Sequence, residues 1–362
     1  MSEVESKTKD SSLGLKKRRQ KIFLVVLFVL INVAVIAATA ISEFGNSKNA
    51  TEFSEIRIDW WLLIPAALCF IVAITAEIFK YVLMIREMPS KENGKKIDDW
   101  KLARRTVLLG RYYDNVTPAA VGGQPFQIYY MRKNSGLSKG ASTAVPIFGM
   151  ISLQIAFIMI ALICFLFGGV AGDHPVLIVT AWIGLLFYAF WPVMVIGASF
   201  FPKFTTKVTK LFVKILVKFK ILKNREEKLA KVEDEIKEYA KSVKMILKTP
   251  GLFVKVILLS LVFNLLVAMI PFFVLTAFGG NVGFWASLGT TIAVMSAVYF
   301  IPTPGNSGAA EGTFFIVFST LSSGYVFWAM LIWRFFSYYI YILMGPIIYF
   351  VMHLEKKHGR IE

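Results

Sequence analysis

Cysteine and histidine are almost absent from this chain. Its 362 residues include 2 Cys and 3 His, and Cys69 and Cys164 each stand alone inside an apolar run. A cysteine in such a run behaves as a small hydrophobic residue, so a disulfide framework or a zinc site is not indicated. No two histidines have the spacing of metal ligands. We therefore expect no metal site.

Motifs of common enzyme classes are also missing. The sequence contains no G-x-x-x-x-G-K-[ST] phosphate loop and no G-x-S-x-G nucleophile motif, and Ser307 has no partner histidine. We expect no catalytic residue, no cofactor and no chemical step, so the protein is predicted not to be an enzyme.

Charged residues are scarce, and long apolar runs take their place. The chain is 56% hydrophobic and 17% charged, with a mean hydropathy of +0.63, which lies outside the range of soluble globular proteins. A run of about 20 apolar residues crosses the hydrocarbon layer as a helix. The sequence predicts an all-α, polytopic membrane helix bundle. The runs of this length are Ile22–Ile41, Trp60–Ile85, Val145–Val170, Val176–Phe201, Leu252–Phe278 and Val326–Met352.

Two further apolar stretches, Val282–Ile301 and Thr313–Leu321, have an ambiguous length. One interpretation gives six crossings and two re-entrant hairpins, and the other gives eight crossings. The first run follows Lys16–Arg19 and resembles a signal peptide, but it is longer than the roughly 7–15 apolar residues of a cleaved signal. We expect it to remain as the first helix.

The positive charge is concentrated in particular connections. The net charge is +17, and basic residues crowd the N-terminal tail, Arg86–Arg105, Lys203–Lys248 and the C-terminal tail. The positive-inside rule then places both termini on the cytoplasmic side of the cell membrane. No nucleic-acid-binding motif accompanies these residues, so we expect contact with anionic lipid headgroups and not with nucleic acid. Homo-oligomerisation stays open.

These patterns divide the chain into five segments. The segment between the membrane halves is predicted to form a basic amphipathic helix from Phe204 and a second helix from Leu229 to Ile246, with a solvated linker as the alternative. The segments are a disordered basic tail (1–21), an N-terminal membrane half (22–201), the connection (202–250), a C-terminal membrane half (251–353) and a second tail (354–362).

Two breaks interrupt the membrane halves in corresponding places. Asn115–Pro125 and Ile301–Gly312 each join a Thr-Pro pair to a glycine cluster and a polar side chain, Gln124 or Glu311. Neither segment continues as a regular helix. Inside a membrane, irregular backbone persists only where protein or a watery cavity satisfies its polar groups. Paired breaks predict two broken or re-entrant helix hairpins and favour inverted repeats around a substrate site. Two unrelated surface loops are the alternative.

A few charged and polar side chains lie within apolar sequence. Glu77 and Lys80 are three residues apart on one helix, so a local ion pair or snorkelling towards the membrane surface is expected. Glu311 and Arg334 lie far from charged loops, where a charge costs at least about 2.5–3.5 kcal/mol. They either pair with each other, or Arg334 grips a phosphate with its guanidinium fork. Weaker candidates, which also suit helix packing, are Gln154, Asn264 and Trp333.

The breaks resemble those of a known family, the lysylphosphatidylglycerol synthase transmembrane region, also described as flippase-like. The resemblance rests on Asn115-x-x-Pro118, Gly122-Gly123-Gln124 and Gln127, and on Pro302-Thr303-Pro304-Gly305, Gly308 and Glu311. It implies an integral membrane protein that moves or presents anionic lipids or polyprenyl-phosphate-linked carriers. Full synthases also carry a soluble aminoacyl-transfer domain. We expect this chain, which ends at Glu362, not to make lysyl-lipid itself.

The predicted function is therefore flippase-like transport of an anionic phospholipid or a polyprenyl-phosphate-linked amphiphile. The N-termini of the broken helices are expected to offer free N–H groups to a phosphate. The alternatives are a membrane enzyme or enzyme subunit that uses a lipid-phosphate donor, and a non-transporting scaffold for a lipid-modifying synthase. The predicted substrate-binding residues are Asn115, Thr117, Pro118, Gly122, Gly123, Gln124, Gln127, Thr303, Pro304, Gly305, Asn306, Gly308, Glu311 and Arg334.

Overall fold

The described part of the chain is mostly helical. A computed structural model describes residues 58–88, 98–120, 122–168, 175–200, 240–241, 243–299, 301–321 and 326–357, with the single positions 41 and 170. The first half contains α1 (Trp60–Glu87), α2 (Asp99–Val116), a 3₁₀ turn (Pro118–Ala120), α3 (Gly123–Asn134), α4 (Lys139–Leu166) and α5 (Pro175–Phe200). The second half contains α6 (Pro250–Ala277), α7 (Phe284–Val298), a 3₁₀ turn (Pro304–Asn306), α8 (Ala309–Leu321), α9 (Val326–Arg334), a π-helical turn (Phe335–Tyr339) and α10 (Ile340–Lys357).

Within the described residues, five stretches of helix are long and apolar enough to cross a membrane. They are Trp60–Glu87, Lys139–Leu166, Pro175–Met194, Pro250–Ala277 and Val326–Glu355, where the last joins α9, the π turn and α10. These confirm five of the six predicted runs and the multi-pass membrane class. The sixth run, Ile22–Ile41, lies outside the described residues apart from its last position.

Helices α1 and α6 form the antiparallel centre of the bundle. The Asp59 N–H, just before α1, donates to the carbonyl of Ala277 at the end of α6 at 2.9 Å. Further along, Lys80 Nζ of α1 contacts Ser260 Oγ of α6 at 3.3 Å. The pair is therefore antiparallel, and the start of α1 lies at the same end of the bundle as the end of α6.

Helices α2 and α3 form a hairpin that starts and finishes at the opposite end. Arg86, in the last turn of α1, forms an ion pair with Asp99 at the start of α2 at 3.4 Å. Arg132, in the last turn of α3, donates to Thr143 in the first turns of α4 at 2.9 Å. Both ends of this first hairpin are thus held beside the end of α1.

Helices α7 and α8 form a second hairpin, which enters from the other end of the bundle. The indole N–H of Trp285, at the start of α7, donates to the carbonyl of Phe167 after α4 at 3.3 Å. Leu321, the last residue of α8, packs against a cluster with Leu177 of α5 and Phe165 of α4. Helix α7 has 15 residues and α8 has 13, fewer than the roughly 20 that cross a membrane. The arrangement favours re-entry over eight crossings, and re-entry and inverted repeats stay predictions.

The two breaks lie against each other inside the bundle. Each is shorter than predicted, because α3 already begins at Gly123 and α8 at Ala309. Pro125 therefore lies in the first turn of a helix, where no intrahelical N–H bond is lost. Glu311 likewise belongs to the first turn of α8.

The connection at 202–250 is described only in its last part. Val243 and Ile246 are buried in a core cluster with Met84 of α1 and Leu102 of α2, so the end of the predicted second helix packs on the bundle. The predicted basic amphipathic helix from Phe204 lies outside the described residues. At the other predicted boundary, residue 353, α10 continues to Lys357.

Candidate functional site

A cavity of about 320 Å³ opens where the two breaks meet. Its walls come from both hairpins and from α1, α4, α5, α6, α9, the π turn and α10. The lining includes aromatic side chains, such as Phe70, aliphatic ones, such as Leu153, and polar ones. The polar residues on its wall are Glu77, Tyr81, Arg111, Asp114, Asn115, Gln124, Gln127, Gln154, Tyr188, Asn264, Tyr299, Asn306, Arg334, Ser337 and Tyr341.

Arg111 of α2 forms a bidentate ion pair with Glu77 of α1. Its NH2 nitrogen lies 2.9 Å from each carboxylate oxygen, and its Nε lies 3.2 Å from Oε2. The guanidinium also lies over the ring of Phe263, 4.7 Å from its centroid. The side chain of Arg111 keeps 26% of its surface exposed, whereas that of Glu77 keeps 3%. Arg111 lines the cavity, and its side chain is more exposed than that of its partner.

Arg334, the last residue of α9, forms a second ion pair, with Glu311 of α8. Its Nε lies 2.7 Å from Oε1, and its NH2 lies 2.8 Å from Oε2. NH2 also approaches the carbonyl of Gly305 at 3.4 Å. The ring centroids of Trp333 and Tyr338 lie 5.3 and 5.2 Å from the guanidinium carbon. Of the two alternatives for these residues, the structure shows the ion pair.

The short helices that follow the two breaks, α3 and α8, are called half-helices here. Side chains of the protein itself cap the N-termini of both. In the first break, the N–H of Gly123 donates to Asp114 Oδ1 at 2.9 Å, and the N–H of Gly122 donates to Thr117 Oγ1 at 2.9 Å. In the second, the N–H of Gly308 donates to Glu311 Oε2 at 2.7 Å. The prediction that these N–H groups are free for a phosphate is wrong for these three residues, because a side chain already satisfies each of them.

Lys80 corrects a second prediction. The expected local pair of Glu77 with Lys80 does not form, because Glu77 binds Arg111 instead. Lys80 does not snorkel either: it is 0% exposed, and its Nζ contacts the carbonyl of Gly149 at 3.1 Å as well as Ser260. Among the described residues no carboxylate forms an ion pair with Lys80. Its buried charge is satisfied by α4 and α6 rather than by its own helix.

The charged groups in and beside the cavity balance in number. Three are carboxylates and three are bases, and two ion pairs account for four of them. Such balance is expected, because an uncompensated buried charge is strongly unfavourable. The carboxylates are Glu77, Asp114 and Glu311, and the bases are Lys80, Arg111 and Arg334.

The predicted binding residues fall into two groups. Six lie on the cavity wall, namely Asn115, Gln124, Gln127, Gly305, Asn306 and Arg334. The others, Thr117, Pro118, Gly122, Gly123, Thr303, Pro304, Gly308 and Glu311, lie in or beside the breaks and do not contribute to that wall. Within the first group, Gln127 is held by Tyr81 Oη at 3.2 Å and by the carbonyl of Thr106 at 3.2 Å. Binding of a ligand by any of these residues stays a prediction.

Sequence reasoning missed seven polar residues of the wall, namely Arg111, Asp114, Tyr81, Tyr188, Tyr299, Ser337 and Tyr341. The first two had a signal, since they stand in the turn of helix directly before the first break. Tyr188 and Tyr299 had none, because a tyrosine in an apolar run is ordinary in membrane helices. The three weaker candidates, Gln154, Asn264 and Trp333, do line the cavity.

A family model matches residues 22–345 of the sequence, and its description is the lysylphosphatidylglycerol synthase TM region. The chain belongs to this family. The match covers both breaks and every residue of the cavity wall. No curated protein matches the chain, and no solved structure matches it.

Membership in the lysylphosphatidylglycerol synthase TM-region family makes the chain a membrane protein related to lipid handling. The cavity lies within the matched range, between helices long enough to cross the membrane.

Proposed function

We propose that this protein is a flippase-like translocase for an anionic phospholipid or a polyprenyl-phosphate-linked amphiphile. The headgroup passes through the cavity between the two breaks, while the acyl or prenyl chain remains in the bilayer. No bond is made or broken. One observation carries the proposal: two guanidinium groups, Arg111 beside the first break and Arg334 beside the second, line a single cavity inside a bundle of membrane helices.

Guanidinium groups suit a phosphate because they present several N–H donors in a planar fork. Each arginine uses some of its N–H donors to bind a carboxylate. In this proposal the remaining donors bind the ligand. Arg111 is the better placed, since 26% of its side chain is exposed against 5% for Arg334. In this proposal Arg111 makes the first contact with the phosphate, without giving up its pair with Glu77.

Arg334 and Glu311 hold the second break in position. Glu311 receives the N–H of Gly308 as well as the guanidinium, and Arg334 approaches the carbonyl of Gly305. The pair thus connects α9 to the 3₁₀ turn itself and to the backbone directly after it. A headgroup that passes this point meets a wall of fixed shape, which supports passage through a defined route.

The test is transbilayer movement of lipid in proteoliposomes that contain the full-length protein. Fluorescent phosphatidylglycerol, labelled on an acyl chain, is placed in both leaflets, and dithionite bleaches the outer one. A translocase allows bleaching to proceed well beyond one half of the signal, whereas protein-free liposomes stop there. An Arg111→Lys variant is expected to slow this movement, because a point charge does not reproduce the fork.

The competing functions predict different results in the same vesicles. A membrane enzyme converts the labelled lipid to a new product, which thin-layer chromatography detects. A scaffold gives neither movement nor product. Either result would reject the proposed translocation.

A further inference from the structure

We propose that the cavity also contains a subsite for the hydroxyl groups of the headgroup, formed by Gln154, Asn264 and Tyr299. The inference rests on the proposed function in that a lipid headgroup enters the cavity, and it names what that headgroup must carry besides a phosphate. The substrate is then a lipid whose phosphate headgroup carries a polyol, either glycerol or a sugar.

The side-chain oxygen of Gln154 points to a ligand because it is buried and has no partner among the described residues. Its side chain lies on the cavity wall and is 3% exposed. The Nε2 group donates to Tyr299 Oη at 3.2 Å, whereas Oε1 has no hydrogen-bond partner among the described residues. A buried polar atom without a partner costs about 1–3 kcal/mol. A ligand that reaches this amide removes the penalty.

The chemistry of this amide selects a hydroxyl group. If the amide is rotated by 180°, Tyr299 donates to the oxygen and the NH2 group is left over. A hydroxyl both donates and accepts, so it satisfies the amide in either orientation. An ammonium group serves only the oxygen, and a phosphate serves only the NH2 group.

Asn264 supplies a second acceptor of fixed orientation. Its Nδ2 donates to the carbonyls of Leu153 at 3.1 Å and Ser260 at 2.9 Å. Because both partners are acceptors, the nitrogen is assigned and Oδ1 is the atom left for a ligand. This oxygen can accept a hydrogen bond from a hydroxyl group of the headgroup.

Aromatic rings beside these amides match the C–H face of a polyol. The rings of Tyr188 and Tyr299 meet edge to face with centroids 4.1 Å apart, and Phe157 packs against Tyr188 at 4.9 Å. All three line the cavity. The subsite thus combines acceptors for hydroxyl groups with apolar ring surface for the carbon skeleton.

Binding of matched lipids to the full-length protein in detergent, measured by native mass spectrometry, tests the subsite. Phosphatidylglycerol and phosphatidylpropanol have the same charge and the same three-carbon headgroup, but only the first has hydroxyl groups. We expect phosphatidylglycerol to bind about tenfold more tightly. Equal affinities, or a preference for phosphatidylethanolamine over phosphatidylglycerol, would overturn the inference.

Variants assign the preference to the named residues. Gln154→Leu, and separately Asn264→Leu, should bring phosphatidylglycerol down towards the affinity of phosphatidylpropanol and leave the latter unchanged. Thr180→Val on α5, whose hydroxyl bonds only within its own helix, should keep the wild-type ratio. If Asn264→Leu fails to fold, Gln154→Leu alone decides, and an unchanged ratio in that variant rejects the subsite.

A glycerol and a sugar share this hydroxyl chemistry, so a second pair of lipids separates them. Glucosyl polyprenyl phosphate and propyl polyprenyl phosphate, two phosphodiesters of equal charge, are measured beside the first pair, and the pair with the larger ratio identifies the headgroup. The binding measurement is independent of translocation. Preferred binding without lipid movement refutes the translocase alone, and lipid movement with equal binding refutes the hydroxyl subsite alone.

Discussion

Arg334 and Glu311 are joined by two contacts of 2.7 and 2.8 Å, and both side chains are almost completely buried. The pair links the end of α9 to the first turn of α8, across the second break. Glu311 has a further duty, since it caps the N–H of Gly308. A single carboxylate thus fixes both a cation and a helix N-terminus.

The first prediction concerns the stability of this pair. Glu311→Gln and Arg334→Gln should each lower the free energy of unfolding by about 3–5 kcal/mol, because each leaves a buried charge without its partner. The double variant should recover much of that loss, since neither charge remains. Thermal unfolding in detergent measures the effect. Additive losses in the double variant would contradict a coupled ion pair.

The second prediction concerns the role of Arg111 in lipid transport. Arg111→Lys should slow movement of phosphatidylglycerol in proteoliposomes by about tenfold or more, because the bidentate fork is lost at the more accessible guanidinium. Arg86→Lys is the matched control, since Arg86 pairs with Asp99 at the end of the bundle and is 54% exposed. The control should transport like the wild type. Equal rates for all three proteins would remove Arg111 from the proposed phosphate site.

The third prediction concerns the backbone of the second break. Gly305 has φ +57, and a Cβ there would meet the ring of the buried Tyr338. Gly305→Ala should therefore destabilise the protein by more than about 1 kcal/mol, the approximate cost of a left-handed conformation with a side chain. Gly312→Ala is the comparison, because a Cβ there meets nothing within 4 Å. It should be neutral or stabilising by up to about 1 kcal/mol.

The fourth prediction concerns the direction from which the second hairpin enters. Cysteines introduced at Asn281 and Thr320, in a background without Cys69 and Cys164, should both react with an impermeant thiol reagent from outside the cell. A cysteine at Lys139 should react only after permeabilisation, because it lies at the end predicted to be cytoplasmic. Reaction of positions 281 and 320 from opposite sides would support the eight-crossing interpretation.

Much of the architecture followed from the sequence. The runs that became α1, α4, α5, α6 and α9–α10 were recognisable, since a segment that crosses hydrocarbon must be apolar along about 20 residues. The breaks were recognisable as well, because proline and glycine act on the local backbone wherever they stand. The breaks were predicted to extend too far towards the C-terminus. Pro125 and Glu311 were included in them, although both residues are tolerated in the first turn of a helix.

The contacts that buried charged side chains make with other helices were not predictable from the sequence. Glu77 and Lys80 share a helix face, yet Glu77 pairs with Arg111 of α2 and Lys80 reaches α4 and α6. Spacing along one helix says which side chains are neighbours on its surface. It does not say which buried group of another helix lies closer, and in a membrane interior that group determines the partner.

By itself, then, the sequence determined the membrane class, the long helices and the two breaks, because each depends on composition or on local backbone chemistry. Only the tertiary structure decided that the breaks meet, that Glu77 pairs with Arg111, and that Gln154 and Asn264 line the same cavity as the two arginines. These relationships join residues far apart in the chain. They depend on how helices pack against one another, and no periodicity in a single segment records that packing.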